Sequence, residues 1–154
     1  MADQDLVARV ARYNELLRDG QHLLSEFQAQ VIDCDGEADL AMAIDVAETM
    51  TGPSGALQGG LVATLIDTAA AIAASARVGP EGIVATGDMT VHFLAPVLTR
   101  AYVLAHVVYR GKRRVVCRVE LFDEKNGPLA ATAQVSFAVI NSPARRTASV
   151  EQSS

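Results

Sequence analysis

The sequence predicts an α+β fold: a curved antiparallel sheet wrapped around one long central helix, with an extra helix at the N-terminus. Three observations carry that prediction. The segment from Leu61 to Ala76 is apolar nearly all round, and such a helix has to be enclosed rather than laid on a surface. Four long segments with period-two alternation follow it and supply the enclosure. Ahead of it, residues 5 to 24 repeat apolar side chains at helical spacing, and two short alternating runs come next.

Each element has its own signal. Leu6, Val10, Tyr13, Leu17 and Leu24, with Asp and Arg between them, give an amphipathic helix that frays near Gly20. Phe27, Ala29 and Val31 share one face of a first strand. Leu40, Met42, Ile44 and Val46 alternate with Asp39, Ala41, Ala43 and Asp45 in a second. Thr51-Gly-Pro-Ser-Gly55 is a loop. Gly59-Gly60 opens the central helix, where Leu61, Leu65 and Ile72 mark a large apolar ridge, and Val78-Gly-Pro-Glu-Gly82 ends it. The run from Ile83 to Leu94 sets Thr86, Asp88, Thr90 and His92 opposite Ala85, Met89, Val91 and Phe93. Ala101 to Tyr109, Arg114 to Phe122 and Leu129 to Ile140 complete an expected four-strand meander. A basic turn joins the first two of these, and Asn126-Gly127, a strong hairpin signal, joins the last two. The expected organisation is an N-terminal helix over 1–24, one domain over 25–141 and a disordered Ser/Arg/Thr-rich tail over 142–154.

Composition excludes several function classes. With 13 basic and 18 acidic side chains the net charge is -5, which argues against neutralising phosphates along nucleic acid. The two cysteines, Cys34 and Cys117, fit no metal-ligand or Cys-x-x-Cys spacing, so a cytoplasmic location with reduced thiols is expected. No basic n-region or apolar h-region opens the sequence. The apolar stretch from Leu61 to Ala76 falls short of the roughly 18 to 20 residues of a membrane span and carries Asp67.

Asp67 is the leading candidate for chemistry. Between Leu61 and Ala76 the polar side chains are Thr64, Asp67, Thr68 and Ser75, and spacings of three and four put them on one stripe. An ionised carboxylate in low dielectric costs several kcal/mol unless paired or hydrogen-bonded, and the segment holds no Lys or Arg. The bland alternative is a half-exposed carboxylate bonded to Thr64 or Thr68. Gly59 and Gly60 add a second feature. A helix N-terminus presents unpaired N–H groups and a positive dipole end, and glycine lets a ligand approach that backbone. Such donors can hold the oxyanion of an acyl-transfer intermediate.

The run Gly59-Gly-Leu-Val-Ala-Thr-Leu-Ile-Asp67 resembles the signature of the hotdog-fold thioesterases of the phenylacetate-pathway type, with Gly-Gly opening the central helix and an acid eight positions later. Thr86-Gly-Asp-Met-Thr-Val-His-Phe-Leu-Ala-Pro96 and the hairpin Tyr109-Arg-Gly-Lys112 are similar to that family's following segments, so the resemblance spans roughly residues 27 to 140. It implies acyl-CoA hydrolysis with Asp67 as nucleophile or general base and the Gly59 amide as oxyanion donor. It also implies that Thr86 orients the attacking water from the facing subunit, and that homo-oligomers, dimers or dimers of dimers, form with sites at subunit interfaces. No cofactor is implied beyond the coenzyme A of the substrate. Two positions depart from the pattern: Gln58 stands where the family usually has histidine, and Gly52 where it often has asparagine or glutamine. Gln58 is then a candidate to supply the amide missing at position 52.

The chemistry is consistent with so small a set of groups. A thioester releases a thiol of pKa about 8.5, so its leaving group needs little protonation. Gly60, Thr64 and Thr68 join Asp67 as substrate-facing candidates. Arg110, Lys112, Arg113 and Arg114 form a dense basic patch that either holds coenzyme A phosphates or is a solvated turn. His22, His92 and His106 are scattered and read as surface or sheet residues. Gly52-Pro-Ser-Gly-Ala56 lacks the last glycine of a nucleophile elbow, and Gly55-Ala-Leu-Gln-Gly-Gly60 lacks the Lys of a phosphate loop. The small-residue stripe suggests a hydrophobic acyl group, medium-chain or aromatic. A non-catalytic acyl-CoA binder remains the alternative.

Overall fold

The computed structural model describes residues 3–18, 24–80 and 82–141. The expected fraying near Gly20 and the expected disordered tail fall outside them. Two helices, a short 3-10 turn and six strands follow in the order α1 (Gln4–Leu17), β1 (Gln30–Ile32), β2 (Leu40–Asp45), the turn Glu48–Met50, α2 (Gly59–Val78), β3 (Gly82–Phe93), β4 (Arg100–Arg110), β5 (Arg114–Asp123) and β6 (Leu129–Asn141).

All the strand pairs are antiparallel and the sheet order is β1-β2-β4-β5-β6-β3. The expected four-strand meander is therefore corrected to three strands, β4-β5-β6. β3 lies at the far edge beside β6, and β2 takes the place beside β4. The enclosed helix explains this. α2 packs against β2, β3, β4, β5 and β6, so β2, before it in sequence, and β3, after it, stand on either side of the meander that α2 crosses. The β5–β6 hairpin has Asn126 at φ 67°, and a β-carbon on Gly127 would meet the Asp123 carbonyl oxygen. Only glycine fits there.

α2 runs through the middle of the core. Leu65, Ile66, Ala69, Ala70 and Ala74 have no exposed surface, and the alanines let the helix axis lie close to the sheet. At 20 residues α2 is longer than the apolar run suggested, and by length and composition alone it could cross a membrane. Its packing against five strands is that of a core helix. Truncating a fully buried residue such as Leu65 to alanine costs about 2–5 kcal/mol.

α1 stops at Leu17 with Arg18 as C-cap, short of the expected Leu24, and buries Leu6, Val10 and Leu17. β1 is likewise shorter than expected. Phe27 and Ala29 are buried ahead of it, but Asn14 brackets the Ala29 backbone, its Nδ2 donating to the carbonyl at 2.7 Å and its Oδ1 accepting from the N–H at 2.9 Å. A side chain thus replaces a neighbouring strand at that point.

Candidate active site

Asp67 is half-buried in the third turn of α2, and Thr86 Oγ1 donates to its Oδ1 at 2.8 Å. A local irregularity in β3 makes this contact possible. The register shifts between Thr86, opposite Phe137, and Asp88, opposite Ser136, leaving Gly87 as the extra residue of a bulge. Residues directly opposite share a face, so Thr86 lies with Phe137 on the helix side and Asp88 lies outside. Met89, Val91 and Phe93, opposite Val135, Ala133 and Ala131, also face the helix side. The expectation that Thr86 shares a face with Asp88, Thr90 and His92 is thereby corrected, because the bulge inverts the alternation at Gly87.

The polar stripe of α2 is divided among different partners. Thr64 Oγ1 donates to the Gly60 carbonyl at 2.9 Å and Ser75 Oγ to that of Ile72 at 2.9 Å. Thr68 Oγ1 lies 3.3 Å from the Tyr13 hydroxyl, and Arg9 Nη1 donates to Ser75 Oγ at 3.2 Å. Neither Thr64 nor Thr68 bonds Asp67. Thr68 and Ser75 are instead engaged by α1, an arrangement with no signal in the spacing along α2. Among the described residues no Lys, Arg or His pairs with the Asp67 carboxylate.

At the start of α2, Gln58 is the N-cap and makes no side-chain cap bond. Its backbone N–H donates to the Met50 carbonyl at 3.1 Å, and the Leu57 N–H donates to that of Val97 at 2.8 Å. The Gln58 carbonyl accepts from both Leu61 and Val62 at 2.9 Å. The amides of Gly59 and Gly60 have no acceptor among the described residues and both glycines are exposed. They are therefore two anchored, unpaired donors at a positive helix end. Phe93, 58% exposed, places its ring edge 3.6 Å from where a β-carbon on Gly59 would stand. The strand phase did not mark this aromatic as a neighbour of the helix start.

One chain does not bring all these groups together. Gly59 and Asp67 are eight helical residues apart, about 12 Å along the axis. A single carbonyl cannot sit within hydrogen-bond reach of the first and within attack distance of the second. The Asp67–Thr86 contact is intrachain. It lies beside β3, which among the described residues pairs with β6 alone and has its other edge open.

The remaining candidates lie elsewhere. Arg110, Lys112, Arg113 and Arg114 are exposed at the β4–β5 turn, where the Gly111 N–H donates to the Arg114 carbonyl at 2.8 Å. The Arg113 carbonyl accepts from Val139, so the turn sits at the Gly82 end of β3, opposite the Phe93 end where α2 begins. None of the four has an ion-pair partner among the described residues. A cavity of about 490 Å³ near Cys34, Asp39, Arg77 and His106 is also remote from the helix start, at the Arg77 end of α2. There Arg77 is bonded to Asp39, whose Oδ2 accepts from the Val107 N–H at 2.7 Å.

The family model of the thioesterase superfamily matches residues 54–130, half of the chain, from the loop before α2 into β6. The chain belongs to the thioesterase superfamily. Solved structures share the fold of this superfamily member. A thioesterase from Haemophilus influenzae is 20% identical, with TM-score 0.73 over 86% of this chain and 90% of that one. A thioesterase family protein from Silicibacter pomeroyi is 21% identical, with TM-score 0.70 over 86% and 98%. A phenylacetic acid degradation-related protein from Ralstonia eutropha is 21% identical, with TM-score 0.66 over 82% and 98%. No curated protein sequence matches. Membership of the superfamily makes thioester hydrolysis the general chemistry, and the structure has the curved antiparallel sheet and central helix of the hotdog fold.

Proposed function

We propose that this superfamily member hydrolyses acyl-CoA thioesters to the free acid and coenzyme A, as a homo-oligomer with its site shared between two chains. The observation that carries the reading is the position of Asp67. Thr86 holds its carboxylate beside the open sheet edge, about 12 Å from the unpaired Gly59 and Gly60 amides of the same helix.

A second copy reconciles that separation. β3 is twelve residues long, contains no proline and exposes Ile83, Met89 and Phe93, and such an edge invites pairing. Antiparallel pairing of two β3 strands about a two-fold axis sets two α2 helices side by side in opposite directions. Asp67 then approaches the partner's Gly59. The same operation carries the partner's Arg113 and Arg114 to the end of the sheet where this chain's α2 begins, within the range of a long coenzyme A arm. A dimer of dimers would repeat this unit.

In the reaction the Gly59 and Gly60 N–H groups donate hydrogen bonds to the thioester oxygen and stabilise the negative charge that develops on it. Asp67 of the facing chain either takes a proton from water as the water oxygen attacks the carbonyl carbon or attacks that carbon itself. The C–S bond then breaks and coenzyme A leaves as a thiolate, which needs no dedicated acid; on the nucleophilic route this leaves an acyl-aspartyl anhydride, which a water molecule hydrolyses to release the free acid and restore the Asp67 carboxylate. Gln58 at the mouth of the site offers a further amide donor. Placement with the phenylacetate-pathway type rests on the Gly59 to Asp67 run. The departures at Gln58 and Gly52 favour the second reading, a non-catalytic acyl-CoA binder.

A panel of aliphatic and aromatic acyl-CoA and acyl-carrier-protein donors, tested on wild type and Asp67→Asn, separates the readings. The enzyme reading expects turnover in the wild type, a fall of about 10²- to 10⁴-fold in the variant and retained ligand binding. Binding without hydrolysis of any donor moves the assignment to the binder.

A further inference from the structure

A cavity of about 450 Å³ opens beside the first turn of α2. Its apolar walls are Leu24, Phe27, Met50 and Leu61, and Gln58, the residue immediately before Gly59, lines it as well. Phe27 and Met50 are anchored in the core at 1% and 5% exposure, so the floor is fixed. Leu61 is half-buried and lines the open side. Six residues at 100° each put Leu61 about 120° around the helix from Asp67. The cavity therefore does not compete for space with the carboxylate or with Thr86. Among the described residues the lining includes one charged side chain, Glu26, whose carboxylate accepts a hydrogen bond from Thr49.

We infer that this cavity holds the acyl group of the substrate, an uncharged apolar chain of medium length; the inference rests on the thioester reading of the Gly59 and Gly60 amides. A carbonyl oxygen held by those amides leaves its two substituents to run in different directions. One leads past Gln58 and Leu61 into the cavity, and the other leads out toward solvent and the coenzyme. Cavity size falls in the range of small-molecule sites. At about 30 Å³ for each water-sized group it bounds the chain at roughly fifteen carbons, and imperfect filling sets the optimum below that. Glu26 determines the sign of the selectivity, because an acyl group ending in a second carboxylate would meet a like charge at the rim with no cation among the described lining residues.

Non-hydrolysable S-alkyl-CoA thioethers of increasing chain length test the site without depending on turnover. Each methylene that enters an apolar cavity strengthens binding by about fourfold. Wild-type Kd is expected to tighten by about that factor per methylene up to a plateau, and a terminal carboxylate to cancel the gain. Leu61→Trp and, from the opposite wall, Ser25→Trp are expected to move the plateau shorter by several carbons, with folding checked by thermal melts. An unchanged length dependence in both folded variants overturns the assignment, even if the protein hydrolyses acyl-CoA. A shifted plateau in a protein without turnover supports the cavity while removing the hydrolase reading.

Discussion

The side chain of Gln58 crosses the face of Gly52, with Cγ 3.6 Å from where a β-carbon on Gly52 would stand. The two positions at which this chain departs from the family's pattern are therefore one structural unit. A β-carbon at 52 would touch the Gln58 side chain, so the side chains at the two positions are packing neighbours. Gly52 does not have positive φ, so a side chain there meets only ordinary van der Waals contact. Gly52→Asn should fold with little change in melting temperature while displacing Gln58. Combining it with Gln58→His should give a non-additive effect on kcat/KM, a coupling of at least about 0.5 kcal/mol as expected for touching residues. Additive kinetics across the double-mutant cycle would show that the two act separately.

Thr86 owes its contact with Asp67 to the bulge at Gly87. A β-carbon at Gly87 would stand 3.3 Å from the Ser136 carbonyl oxygen, so a larger residue has to push the strand or move the bulge. Gly87→Val is expected to cost about 1–3 kcal/mol of stability and to lower kcat together with it. Thr86→Val should lower kcat by roughly 10-fold or more, the value of a hydrogen bond to a charged group, while leaving the melting temperature nearly unchanged. Melts and steady-state kinetics on both variants separate the two effects. Wild-type kcat in Gly87→Val would mean the bulge does not position Thr86.

The two cysteines should differ in reactivity. Burial, and secondarily the charge of Asp39, push the Cys117 thiol up to about 12. It remains a protonated thiol at neutral pH, and thiolate is the nucleophile. Cys34 is only half-buried, near the surface loop. A thiol titration of the native protein at pH 8 should detect one group, and a second only after denaturation. Two groups reacting at equal rates in the native state would contradict the packing around Cys117.

Those features were unequally legible in the sequence. α2 was plain because a helix apolar on all sides has few places to go, and Asp67 stood out within it for the same reason. The eight-residue interval from Gly59 to Asp67 already contained the 12 Å separation, yet a shared motif suggests proximity, and only the helical rise denies it. The edge position of β3 was not legible: alternation is local, whereas pairing depends on how α2 crosses the meander. An isolated glycine in a strand marks a possible bulge, but the face inversion at Thr86 required the pairing with Phe137 and Ser136. The hydroxyls of Thr68 and Ser75 share a stripe with Asp67 by spacing, but Tyr13 and Arg9, far away in sequence, claim them.

Asp123 ties the β3–β4 connection to the end of β5, and through it supports the start of α2. Its Oδ1 accepts from the N–H groups of Leu98 and Thr99 and from the Thr99 hydroxyl, each at 3.1 Å. Next to Leu98, the Val97 carbonyl receives the Leu57 N–H two residues before Gly59. Burial raises the Asp123 pKa, but the bonds from Thr99, Leu98 and Arg100 outweigh it and the net shift is downward. A folded-state pKa below the unfolded value of about 3.9 gives stability that is present above that value and lost as pH falls through the folded pKa. Asp123→Ala should therefore cost about 1–2 kcal/mol at pH 7, the scale of the hydrogen bonds removed. The gap from wild type should narrow below about pH 4, as the wild-type carboxylate becomes protonated. Denaturant unfolding at several pH values from 7 to 3 measures that gap. A gap that stays constant across the series would show that the Asp123 charge contributes nothing to the anchor.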